Sequence, residues 1–247
     1  MAASGKRLRL NLPARDELRD PLLSVLTIIL IGLMFVIVPL HAAGTVSVEG
    51  YGLVILLLLA SCVLMQSTNW IVIVVLIVGI GLALAAHALR ATTAAQSNLD
   101  LVLDAIAWII IDVALIFVIA GAVFAPGRIT YHRVNGAVLL YLTIGLTFVG
   151  LYTLVGLSSP HAFAGLEMSH DRGLASSVIY FSFVTLTSVG YGDIVPVNPV
   201  ARSLANLEGI IGQLFPATLL ARMVTLELED RRDRRKATDY LRRAVLI

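Results

Sequence analysis

The run Thr185-Leu186-Thr187-Ser188-Val189-Gly190-Tyr191-Gly192-Asp193 carries glycine at two alternate positions. Glycine enters left-handed backbone regions that other L-residues resist. Placed on either side of Tyr191, the two glycines let successive main-chain carbonyls turn the same way. The segment leading into this run, 173–188, is moderately apolar, rich in Ser and Thr, and too short and polar to cross a bilayer. Pro196 follows soon after. The segment reads as a re-entrant helix that ends at membrane depth. Irregular backbone is tolerated there only where protein or a water-filled cavity surrounds it. A pore or a binding site between the two flanking spans is the implication.

Apolar stretches lie on both sides. A membrane-spanning helix needs about 20 mostly apolar residues, and six segments qualify: 22–40, 51–65, 70–89, 101–124, 134–157 and 199–226. The second is short and needs Val48 and Gln66 near its ends. Gln66-Ser67-Thr68-Asn69 is a tight turn, so spans two and three form a helical hairpin. Pro126-Gly127 breaks the chain after span four. Of 247 residues, 58% are hydrophobic and 14% charged, against about 25% charged in a soluble domain. The surplus apolar surface requires lipid as solvent, so the fold class is an all-α integral membrane protein. Cys62 is the lone cysteine and rules out an intrachain disulfide. The run from Leu22 to His41-Ala42-Ala43 is longer than a signal-peptide core of about 7–15 residues and is read as a span.

Charge sets the orientation. With the N-terminus in the cytoplasm, only Arg90, Arg172 and Arg202 of the 18 Lys and Arg fall outside, as the positive-inside rule favours. The expected location is the cytoplasmic (inner) membrane, with both termini inside and the re-entrant segment on the outer side.

The nine residues Thr185 to Asp193 resemble the filter of potassium channels, whose usual core is Thr-Val-Gly-Tyr-Gly. The resemblance covers about 134–226 and points to prokaryotic channels of the six-transmembrane, voltage-gated-like architecture. It implies six helices plus a re-entrant pore helix (174–187), a filter (188–192) and an inner helix (199–227), arranged as a four-fold symmetric tetramer. The implied potassium ligands are the carbonyls of Ser188, Val189, Gly190 and Tyr191, with the Ser188 hydroxyl at the cytoplasmic end. Gly192 completes the filter. Ser188 stands where Thr is usual; the hydroxyl is kept, but the missing methyl loosens χ1. Thr185, Thr187 and Asp193 flank the filter as support, Asp193 at the outer mouth. Tyr180 and Phe181 fall where simple bacterial two-helix channels carry two bracing tryptophans. Tyr180 is able to hydrogen-bond laterally; Phe181 only packs. Val184 replaces a glutamate that some bacterial channels place behind the filter. Gly212 falls at the inner-helix glycine hinge. Glycine costs about 1 kcal/mol relative to alanine in a helix, and Pro216 removes a backbone hydrogen bond. The pair reads as a gating hinge or as a device for close packing. Gln213 is expected to face the cavity below the filter. Glu208 is expected at the back of the re-entrant helix, hydrogen-bonded to Thr or Ser there.

The first four spans (21–126) resemble a sensor domain without its sensor. Span four holds no Lys or Arg, only Asp104 and Asp112. Moving one charge through the full field is worth about 2.3 kcal/mol per 100 mV, so conventional voltage sensing lacks its carrier. Asp112 is expected to be protonated or hydrogen-bonded to Asn69 or Ser61, and Asp104 to pair with His87 or Arg90. Two readings stand for these acids: polar contacts between helices, or a proton-dependent sensor. The leader 1–20 mixes leucines with bases and reads either as a topology signal or as an interfacial helix attracted by anionic lipid. The tail 229–247 is charged, with acid-first i,i+4 pairs Glu227/Arg231 and Asp230/Arg234 that suit a solvated helix.

One filter segment per chain implies a homotetramer (133–228 forming the pore unit) that passes potassium down its gradient. No organic cofactor, nucleic-acid partner or enzymatic site is expected; the partners are further copies of the chain and membrane lipid. The alternatives are a weakly selective cation channel, a potassium transporter subunit and a non-conducting membrane scaffold.

Overall fold

The computed structural model describes residues 24–25, 27–46, 51–66, 69–92, 98–124, 131–159, 161–168 and 172–245. The basic leader 1–20 lies outside them. The described chain is helical apart from one short strand pair, as lipid demands, because a helix satisfies its backbone internally. In chain order the helices are α1 (Thr27–Ala42), α2 (Tyr51–Gln66), α3 (Trp70–Thr92), α4 (Asn98–Val123), α5 (Tyr131–Ser158), α6 (Leu174–Leu186) and α7 (Pro199–Val245). Four contain stretches long and apolar enough to cross a membrane: Trp70–Arg90, Asn98–Gly121, Val134–Ser158 and Pro199–Leu228. Among the described residues, α1 and the apolar part of α2 (Gly52–Ser61) are shorter.

Pro39 shapes α1. Its ring clashes with the carbonyl four residues back and it donates no N–H. The helix answers by widening into a π turn over Leu33–Ile37, where the Val38 N–H reaches Leu33 O, five residues away as π geometry requires.

α4 is the centre of the N-terminal half, packed against α2, α3 and α5. Leu56, Leu59, Leu76, Ile111, Leu115 and Leu139 are fully buried there. α5 joins the halves, because it also packs on α6 and α7. A second core is aromatic: Tyr152, Phe163 and Phe181 meet edge to face with ring centroids 4.8–5.7 Å apart, the geometry their ring quadrupoles favour.

Strands β1 (Phe163–Ala164) and β2 (Val195–Pro196) pair antiparallel. The N–H groups of Val197 and Asn198 donate to Ala162 O at 2.8 and 3.1 Å, and Asn198 Nδ2 donates to Ser159 Oγ at 3.1 Å. The backbone after Gly192 is thereby tied to the end of α5. α7 then starts with Pro199 at its first position, where a missing N–H costs nothing. Asn198 Oδ1 caps it by accepting the Val200 N–H at 2.8 Å. The expected end of the inner helix at 227 is not an end: α7 runs on through the charged segment to Val245. Arg231 Nε pairs with Glu227 Oε1 at 2.8 Å, and no glycine or proline follows Pro216 to stop the helix.

Candidate functional site

α6 ends at Leu186, and its C-terminus is closed by a Schellman motif. The Ser188 N–H donates to Thr185 O and the Val189 N–H to Val184 O, each at 2.9 Å. This motif needs one left-handed residue, and Ser188 supplies it with φ 59°. Gly190 (φ 56°) and Gly192 (φ 82°) are left-handed too. The sequence assigned left-handed geometry to the two glycines only. The third position escaped because a serine occupies the place where a helix cap usually has glycine. Val189, Tyr191 and Asp193 are exposed on the single chain, Tyr191 to 72%.

Two side chains, Tyr180 and Gln213, contact this segment. Tyr180 stacks on Tyr191, centroids 6.3 Å apart and rings 3° from parallel, and its hydroxyl donates to the Asp193 carboxylate. Phe181 is buried in the aromatic core. Gln213 Nε2 on α7 reaches Ser188 Oγ. Thr185 and Thr187 turn their hydroxyls to the Phe181 and Phe183 carbonyls of their own helix, at 2.8 and 2.6 Å, so they seal α6 rather than reach outward.

α6 is held from both sides. Its last carbonyl, Leu186 O, accepts from the Tyr141 hydroxyl on α5 at 3.3 Å. On the other side it lies so close to Gly212 that a Cβ there would overlap it. Gly212 therefore serves close packing of α7 on the end of α6, while α7 continues unbroken through Pro216. Glu208, fully buried, accepts from the Tyr152 hydroxyl at 2.6 Å, and its other carboxyl oxygen lies 2.6 Å from Ser182 Oγ. Ser182 lies on the back of α6. Tyr152 sits 56 residues away on α5, and nothing in the spacing of the sequence links the two.

The acids of α4 form a different arrangement. Arg90 at the end of α3 binds Asp100 Oδ2 at 2.9 Å and Asp104 Oδ2 at 3.0 Å. Asp100 was missed because it precedes the expected start of span four at Leu101, whereas α4 begins at Asn98. Asp112 is fully buried, and the hydrogen bond anticipated from Asn69 or Ser61 is not made. Neither of its oxygens has a partner among the described residues.

Residues 137–228 match the family described as "Ion channel". Protein LctB of Geobacillus stearothermophilus is 30% identical over 106 residues, 42% of this chain and 78% of that protein. The chain belongs to the ion-channel family. Protein LctB of Bacillus caldotenax is 36% identical over 87 residues, 34% of this chain and 64% of the relative. Two-pore potassium channel 1 of Arabidopsis thaliana is 31% identical over 77 residues, 31% of this chain and 21% of that channel. The chain thus spans less than two thirds of the Bacillus caldotenax protein and of the plant channel. No solved structure matches it. Within this ion-channel protein the matched region runs from α5 through α6 to the apolar part of α7. It contains every contact around Ser188–Gly192 described above, while Arg90, Asp104 and Asp112 lie outside it.

Proposed function

We propose that the chain is one subunit of a potassium-selective channel in which four copies surround one pore and Ser188–Gly192 forms the filter. The observation that carries this reading is the alternation of left-handed φ at Ser188, Gly190 and Gly192 on a segment whose side chains are exposed in the single chain. Four such segments facing an axis would offer stacked carbonyl rings in place of an ion's hydration shell. Potassium is the cargo of these rings, and Ser188, Val189, Gly190 and Tyr191 are its ligands. Unpartnered apolar side chains along α7 support assembly: Leu207, Ile210, Leu214, Leu220 and Val224 are all exposed, at spacings that suit helix–helix contact between copies. In this reading α1 and α2 are membrane spans, giving six, with both termini in the cytoplasm and lipid around the outer helices. The protein is a passive conductor and not an enzyme. Gly212 with Pro216 is the candidate gate, and Asp104 and Asp112 are candidate sensor acids.

The deciding experiment is the reversal potential of the purified protein in liposomes under a K⁺/Na⁺ gradient. The expected preference for K⁺ exceeds about tenfold, or ~1.4 kcal/mol. A smaller ratio would leave a weakly selective cation channel, and a monomeric functional unit would point to a transporter.

A further inference from the structure

Behind the candidate filter, one carboxyl, two hydroxyls and one carbonyl make three oxygen–oxygen contacts. Tyr152 Oη meets Glu208 Oε2 at 2.6 Å, Ser182 Oγ meets Glu208 Oε1 at 2.6 Å, and Ser182 Oγ meets Gly145 O at 2.9 Å. Each contact at such a distance needs one proton between its oxygens. The two hydroxyls carry one proton each, and a backbone carbonyl carries none. Three contacts and two hydroxyl protons leave one missing, and only the carboxyl is able to supply it. With an ionised Glu208, Ser182 serves either the carboxylate or Gly145, and the other pair sets lone pair against lone pair.

The surroundings agree. Tyr152, Ser182 and Glu208 are all fully buried. The titratable groups near Glu208 are Tyr152 and Tyr141 on α5. From α6 it meets the uncharged Ser182, and among the described residues no cation pairs with it. A buried carboxylate without a cation is costly.

We propose that Glu208 is held as the neutral acid, and that its proton completes a relay from Glu208 to Ser182 to Gly145 O which locks α6 between α5 and α7. Tyr152 donates to the other carboxyl oxygen and fixes which oxygen bears the proton. Glu208 touches neither the filter nor an ion, so it is a positioning residue: it sets the depth and rotation of the helix that ends in Ser188. The effect on selectivity rests on the filter reading above; the protonation state does not.

The test is infrared spectroscopy of the full-length protein in lipid, with glutamate ¹³C-labelled to separate Glu208 from buried aspartates. The expected result at neutral pH is a protonated-carboxyl C=O band that shifts with the label, is absent from Glu208→Gln and persists in Asp112→Asn. A wild-type spectrum holding only labelled carboxylate bands overturns the proposal, whether or not the variant folds. In conduction, glutamine offers the same donor and acceptor as the neutral acid. Glu208→Gln therefore keeps the wild-type K⁺/Na⁺ ratio, while Glu208→Ala lowers it about tenfold, the factor for one unmade buried hydrogen bond. Glutamine losing as much as alanine also overturns the relay. Absence of current from the wild type would sink the channel reading and leave the spectroscopic result standing.

Discussion

Gln213 Nε2 donates to Ser188 Oγ across 2.8 Å, joining the first third of α7 to the first left-handed residue after α6. Serine lacks the second γ substituent that stiffens χ1 in threonine. The amide supplies the missing constraint by holding the hydroxyl in one rotamer. Gln213→Leu removes a hydrogen bond worth about 1 kcal/mol and is expected to lower the K⁺/Na⁺ permeability ratio several-fold. Ser188→Thr in the same background restores it. Reversal potentials of the three proteins check this.

Gly212→Ala and Gly209→Ala separate close packing from helix propensity. A methyl at 212 overlaps Leu186 O, whereas one at 209 meets its nearest neighbour, Thr185 O, at an ordinary 3.9 Å. Overpacking of this kind costs about 1–3 kcal/mol. The first variant is expected to lower the thermal midpoint in detergent. The second raises it slightly, because alanine is the better helix former. Equal behaviour of the two would contradict the packing role.

Arg90→Ala strands two carboxylates at the α3–α4 corner, one of them buried. Breaking a buried pair costs about 3–5 kcal/mol, but the Arg90 side chain is 42% exposed, and water screens part of that loss. A destabilisation of about 1–3 kcal/mol is expected on this discount. The triple variant Arg90→Ala/Asp100→Asn/Asp104→Asn recovers most of it in the same thermal assay.

Asp112→Ala removes a carboxyl that has no partner among the described residues. An unsatisfied buried polar group costs about 1–3 kcal/mol, so the variant is expected to match or exceed the wild type in thermal stability. A clear loss would reveal a contact for Asp112 beyond those described.

With only acids in α4, conductance is expected to change little with voltage. Tenfold steepening needs about 1.4 kcal/mol, and each transferred charge supplies about 2.3 kcal/mol per 100 mV. Open probability varying less than tenfold in single-channel recordings across about −100 to about +100 mV, the resting-potential scale in either direction, is the anticipated outcome.

The left-handed backbone at Gly190 and Gly192 was readable because its signal is local: glycine spacing dictates backbone shape within a few residues, whereas Ser188 carries no such mark. Glu208 was half readable. Its need for a hydroxyl on α6 follows from burial, but Tyr152 is on another helix, and linear spacing does not encode that meeting. For Asp112 the expected hydrogen bond to Asn69 or Ser61 is not made among the described residues, for a related reason, and the protonated alternative stands. α2, α3 and α4 are apolar almost all round, so hydropathy gives depth and leaves rotation about the helix axis free. Depth alone nominated Asn69 and Ser61, and rotation turned the carboxyl elsewhere. Asp100 was lost to a boundary shift of three residues.

The seat of Leu186 O against Gly212 also makes α7 a lever with a fulcrum. At about 1.5 Å per residue, roughly 20 Å of helix lies before that point and roughly 50 Å after it. So long as α7 does not bend at Gly212–Pro216, a swing of its charged far arm arrives at the short arm scaled down by more than half and reversed in direction. Coarse motions at Arg231 become fine adjustments beside the β1–β2 strap.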